Sequence, residues 1–418
     1  MPANHKNKLN FTILLVALLC VVMYLGRRFD VISNPQFYAE DGTVCFAQAH
    51  NEGALMTLLK PYNGTTAMLC RLGGSYSTFF PLKLAPLANN VLAILLQLLP
   101  VFFFLSNRFE HIIKAQKNRA LIAIAYCLAP NTVEIYANLA NTQWHLLIFS
   151  FLVLVAKPAT SKAIYYFETT ILLLTALCGP FSIFLTILST AVCYKNRTRL
   201  NLYRLALLSS CALITIYLLT SGSFGDRPKI LFEFNLLGFM QVISGKVFLS
   251  SLIGFRGFRA LSQSEHWNIY SAIVPNLIGS IVIYLALRRS SYELKLFALL
   301  AAMILFSALI SPTVPDIAPH WQILAKPGTA GRYWFIPAIC FYCCIFNCIK
   351  TYKHKFVLTT CYTLVLVLTY GVYRDYFYPR SHDSKFTKSV MRYNAAEVGA
   401  VVDIPITPKG WAMSLVKK

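Results

Sequence analysis

The sequence predicts an all-α polytopic membrane protein of about eleven transmembrane helices, and three observations predict it. Of 418 residues 57 % are hydrophobic and 13 % charged, with mean hydropathy +0.57, against roughly 25 % charged in an average soluble chain. So few charges cannot clothe a water-facing surface. Apolar runs approaching the length of a bilayer span recur along the chain. Lys and Arg gather in the short segments between alternate runs, as the positive-inside rule requires.

The first run, at residues 9–26, looks superficially like a secretory leader. It has no small-residue cleavage site and many equally apolar runs follow, so it is expected to remain as an anchor. The others lie at 84–106, 120–130, 146–156, 164–178, 181–194, 203–221, 269–287, 296–311, 334–349 and 356–371. Those at 120–130 and 146–156 are short and must borrow residues from the stretch between them. Those at 164–178 and 181–194 meet at Gly179 and Pro180, which suits either a tight turn between two spans or a re-entrant pair. The second alternative leaves nine spans plus a re-entrant segment.

A cytoplasmic N-terminus places residues 1–8, 107–119, 157–163, 195–204, 288–295 and 350–355 inside. These loops hold 18 of the 38 Lys and Arg in about an eighth of the chain. An odd number of spans then leaves the C-terminal tail outside. The long segments 27–83, 222–268, 312–333 and 372–418 face the same outer side, where loops on a rigid scaffold are expected to carry the chemistry. The chain reads as one membrane domain, 1–418, without repeat, linker, Gly-x-Gly-x-x-Gly or P-loop, so a nucleotide donor has no visible cradle.

A net charge of +22 would suit nucleic acid if it were clustered. It is dispersed among the spans, so topology accounts for it, and phosphate-bearing membrane lipids are the expected partners rather than nucleic acid. Most of the 12 Cys lie in apolar runs, such as Cys340, Cys343, Cys344 and Cys348, and read as small buried hydrophobes. Only Cys45 and Cys70 share an outer loop, where an oxidising compartment would permit a bridge.

The first outer loop carries Phe37-Tyr38-Ala39-Glu40-Asp41-Gly42. Paired carboxylates beside an apolar surface suit general base work, because burial and mutual repulsion raise one pKa toward neutrality. The same spacing suits a helix N-terminus with Asp41 capping residues 44–49. Arg71 could clamp a phosphate bidentately or snorkel to headgroups. Asn141 and Trp144 offer an amide and an aromatic face, as sugar sites do, although Trp at this depth also serves as an interface anchor. In the loop 312–333, Lys326 and Arg332 flank Gly328 and Gly331 at the mouth of a span, which suits a polyprenyl phosphate. Asp316 and His320 are two potential metal ligands without a third at fixed spacing, so no metal site is expected. Trp411, Lys417 and Lys418 close the tail, where basic residues attract anionic headgroups. Glu168 is the one acid inside a run; it either faces a cavity or marks a span boundary near Thr169.

Residues 37–41 resemble the Phe-Trp-Ala-Glu-Asp motif of the phage-borne serotype-converting O-antigen glucosyltransferases of Shigella, with Tyr38 in place of the Trp. The terminal Lys417-Lys418 resembles that family's Ser-Lys-Lys element, although the nearest Ser here is Ser414. Size, span layout and an outward tail fit the family over the whole chain. The resemblance implies a C-type (GT-C) glycosyltransferase of the bacterial inner membrane, N-terminus cytoplasmic and C-terminus periplasmic. It implies inverting transfer of glucose from undecaprenyl-phosphate glucose to lipid-linked O-antigen, a β-linked donor giving an α-linked branch. Asp41 would be the base, since related C-type enzymes use a first-loop Asp, with Glu40 second. Arg332, Lys326 and Arg71 would hold the donor phosphate, and Tyr38, Asn141, Trp144, Trp411, Lys417 and Lys418 the acceptor or its lipid carrier. A flippase and a donor-synthesising glucosyltransferase would be companions, and no cofactor is expected.

Two other classes fit many spans and large outer loops: a lipid-linked-saccharide flippase and an O-antigen polymerase. A flippase is expected to place charges along a path within its spans, and these spans carry little beyond Glu168.

Overall fold

The computed structural model describes residues 2–221, 235–312 and 320–418. A helix covers each of the expected apolar runs. Among the described residues, seven helices are long and apolar enough to cross a bilayer: Ala85–Leu105, Arg199–Thr220, Leu236–Ser262, Tyr270–Arg288, Tyr292–Ile310, Gly331–Thr351 and Lys355–Asp375. Phe11–Gly26, Leu139–Val155 and Phe181–Lys195 are shorter apolar helices. This is the architecture of a mostly helical, multi-pass membrane protein. The chain forms two compact units.

One unit comprises Met1–Arg27, Phe104–Glu134 and Pro228–Tyr378. Here the expectation of an outer loop over 222–268 fails for most of its length, because Leu236–Ser262 is an apolar helical segment. Residues 222–234, and with them the start of that loop, lie outside the described residues, as do 313–319 and therefore Asp316. The sequence hides the helix because Gly238, Gly245, Lys246, Gly254, Arg256 and Arg259 interrupt its hydropathy. Backbone carbonyls absorb two of those charges. Lys246 is buried and donates from Nζ to the carbonyls of Lys326 and Thr329; Arg256 donates to those of Arg374 and Phe377 at 3.1 and 3.2 Å. The segment kinks at Gly254, whose φ of 75° is a conformation glycine adopts without steric cost. Past the kink, the Asp375 carboxylate accepts from the Phe255 and Arg256 amides and restarts the helix.

In the same unit the C-terminal ends of Phe11–Gly26 and Lys355–Asp375 meet. Tyr376 Oη donates to the Met23 carbonyl at 3.1 Å, and the Tyr378 amide donates to that of Arg27 at 2.8 Å. Near the opposite end of Lys355–Asp375, the Arg289 guanidinium lies 4.4 Å over the Tyr352 ring.

The other unit comprises Arg28–Phe103, Ile135–Arg227 and Pro379–Lys418. Its apolar helices turn their polar side chains toward one another, since an unpaired polar group in hydrocarbon is costly. Gln97 donates to the Ile135 carbonyl at 3.0 Å and to Thr142 Oγ1 at 2.8 Å. Ser150 bonds Thr175, and Ser182 bonds Thr215, both at 2.9 Å. Glu168 lies within helix Lys162–Ala176. It is buried against Arg204 at 3.5 Å, and Arg204 also donates to the Val153 carbonyl at 3.0 Å. A carboxylate at this depth persists only with such a partner. Gly179, at φ 61°, makes the tight turn between Lys162–Ala176 and Phe181–Lys195.

The tail departs from an all-α reading. After helix Phe386–Ala395 it forms an antiparallel hairpin of Val401–Ile406 with Trp411–Val416. Alternation turns Ile404, Ile406, Met413 and Leu415 inward, where they pack with Phe37, Phe46, Ala47, Phe386, Val390 and Tyr393. This small apolar core ties the tail to the segment 27–83.

Candidate active site

The acidic motif is held by the tail. Ala39 donates to the Thr407 carbonyl at 2.6 Å and Thr407 donates back to that of Phe37 at 3.1 Å, so Tyr38 is bridged to Thr407 in parallel register. From Asp41 the chain coils as a π-helix, Asp41–Phe46, a wide turn found frequently at functional sites. Gly42 fits here because a Cβ would press on Ile406 at 2.7 Å and on Phe37 at 3.0 Å. Cys45 is disulfide-bonded to Cys70, which anchors the π-helix to helix Met68–Ser77.

Asp41 is buried. Its Oδ2 accepts from Asn89 Nδ2 and the Leu139 amide, both at 2.8 Å, and its Oδ1 from the Ala140 amide at 2.7 Å. Asp41 begins its own π-helix, and its carboxylate sits at the N-terminus of Leu139–Val155, where the helix dipole favours an anion. Burial outweighs these donors and, with the nearby Glu40 charge adding to it, pushes the carboxyl up to about 7. Glu40, one residue earlier, is partly exposed, and its carboxylate makes no hydrogen bond or ion pair among the described residues. One acid is thus fixed inside and its neighbour is open to a ligand.

The remaining candidates separate. Arg71 is buried, donating to Gln48 Oε1 at 2.5 Å and to the Val44 carbonyl at 3.3 Å; it braces the π-helix and turns its charge inward, away from a phosphate. Asn141 and Trp144 are also buried, the Trp144 ring 4.9 Å edge-on to Phe181, so neither presents a face to a saccharide. Trp411 is 39 % exposed at the start of its strand. Lys417 Nζ lies 4.9 Å over the Tyr393 ring, and Lys418 is exposed.

Arg332 and Lys326 belong to the other unit. Arg332 is paired with Glu134 and lies 4.9 Å over the Tyr333 ring. Lys326 is exposed, and its carbonyl is one of those held by Lys246. His320 is buried, and no cluster of three or more metal-ligating side chains occurs among the described residues. Sequence reading missed Asn89, Glu134 and Lys246, because each acts on a partner dozens to hundreds of residues away. Comparison with family models, curated proteins and solved structures returns no match.

Proposed function

We propose that this chain is a membrane glycosyltransferase that moves glucose from undecaprenyl-phosphate glucose to lipid-linked O-antigen at the outer face of the bacterial inner membrane. The carrying observation is the divided acid pair: Asp41 locked by three donors at a helix N-terminus, and Glu40 beside it, accessible and unengaged. Glu40 is accordingly assigned as base and Asp41 as the residue that positions it, reversing the order expected from the motif. Glu40 takes the proton of an acceptor hydroxyl, whose oxygen attacks the anomeric carbon. The bond from that carbon to the phosphate oxygen breaks, inverting the centre and releasing undecaprenyl phosphate. Within their own unit Arg332, paired with Glu134, and Lys326 carry charge of the kind that suits a phosphate.

Two observations support an outward-facing first loop and tail. The Cys45–Cys70 disulfide suits an oxidising compartment. The contact of Tyr376 with Met23 brings the tail out where the first helix ends, which an odd number of crossings requires. On that parity Leu236–Ser262 dips into the bilayer and returns, since a further crossing would carry Tyr376 to the side of residue 2. The reading is tested by the O-antigen structure of cells with and without the protein: added glucose branches are expected, and an unchanged repeat, or a changed chain length alone, contradicts it.

A further inference from the structure

A cavity of about 330 Å³ lies between the first outer loop and helix Phe386–Ala395, walled in part by Phe46, His50, Thr78, Phe80, Lys83 and Asn394. Its volume falls at the lower end of small-molecule sites, roughly 300–1,000 Å³. Nothing in the acid-pair chemistry uses it. Lys83 stands two residues before helix Ala85–Gln97, so the cavity lies beside the start of a membrane helix.

The His50 ring fixes what can bind. Its Nε2 lies 2.9 Å from Tyr393 Oη and 3.2 Å from the Val416 carbonyl. The Tyr393 hydroxyl donates to the Val416 carbonyl at 3.2 Å, so Nε2 faces two acceptors and is assigned as the protonated nitrogen. Burial holds the imidazole below its ordinary pKa and hence neutral. Nδ1 is then a lone-pair acceptor with no hydrogen-bond partner among the described residues. A phosphodiester has no proton to give it, whereas a sugar hydroxyl has. Phe80 adds an aromatic wall for the C–H face of a ring, while Asn394 and Lys83 can donate to ring oxygens, and none of the lining side chains is acidic.

We propose that this cavity seats one sugar ring of the saccharide acceptor, a ring hydroxyl donating to His50 Nδ1. The proposal rests on the transferase reading for the identity of the saccharide. The full-length protein in lipid nanodiscs is titrated with the host's O-antigen repeat oligosaccharide, freed of lipid, and binding is followed by saturation-transfer NMR. The parent is expected to bind, and the exposed-site variants Asn394→Ala and Lys83→Ala, with His50→Phe as a ring-preserving third, are each expected to bind about tenfold more weakly, as loss of one polar contact implies. Absent binding by the parent, undiminished binding by all three variants, or displacement of the oligosaccharide by millimolar inorganic phosphate overturns the proposal. Glucose transfer by the parent, measured in parallel, separates the two claims. Transfer with unaffected variants sinks only the cavity, and variant-sensitive binding without transfer sinks only the enzyme.

Discussion

Glu40 and Asp41 are adjacent in sequence and opposite in environment, and their substitutions should fail in different ways. Glu40→Gln removes the proton acceptor from a partly exposed side chain that no other described residue holds, so glucose transfer should fall about 100-fold or more with an unchanged thermal midpoint. Asp41→Asn turns an amide toward two backbone N–H groups, which should cost about 1–3 kcal/mol in thermal unfolding of the purified protein. Equal losses of activity with equal stability would contradict the division of roles. Asp41 also sets a pH dependence. Burial raises it to about 7, while an unfolded carboxyl titrates near about 3.9. Between those values the folded chain holds a proton that the unfolded chain has lost, so the stability contributed by Asp41 is full below the window and falls as pH rises through it. Thermal midpoints from pH 4 to 8 should show that decline, and Asp41→Asn should flatten it; a variant with the parental slope would remove Asp41 as its source. The pair itself was legible in the sequence. Which acid is buried was not, because the donors are supplied by Asn89, Leu139 and Ala140, up to 99 positions away.

Elements were legible where a single periodicity or hydropathy ran unbroken. Each long apolar run became a helix, and the first-loop cysteines formed the one bridge their shared loop permitted. The segment Leu236–Ser262 was hidden because its glycines and charges are neutralised by distant partners, Trp321 packing on Gly238 and the carbonyls of residues 326, 329, 374 and 377 taking Lys246 and Arg256. The hairpin was hidden because each strand is only six residues long and one contains Pro405, so its β signal emerges only against Phe37 and Phe46. The disulfide makes the element-scale prediction. Cys45→Ser with Cys70→Ser frees a loop whose ends are 25 residues apart, and should lower stability by about 3 kcal/mol. Transfer at low temperature should survive, since neither sulfur reacts. Loss of transfer in a variant that retains the parental thermal midpoint would give the cysteines a role beyond bracing the π-helix.

For the whole molecule, orientation decides whether the outer loops can meet a lipid-linked sugar. Basic residues concentrate in the loops assigned to the cytoplasm, and the tail packs on the first outer loop through Thr407 and the hairpin core. Reporter fusions after Leu200 and after Tyr376 should therefore read cytoplasmic and periplasmic respectively, and the reverse pattern would remove the outer loops as the working face. The central claim is chemical, and one measurement meets it directly: purified protein in liposomes, given undecaprenyl-phosphate glucose and lipid-linked O-antigen repeat, assayed for undecaprenyl phosphate and for the linkage of the added glucose. The account predicts stoichiometric release with an inverted glucosidic bond, abolished by Glu40→Gln. Movement of intact lipid-linked saccharide across the bilayer with no phosphate released, or transfer at the parental rate in Glu40→Gln, would contradict it.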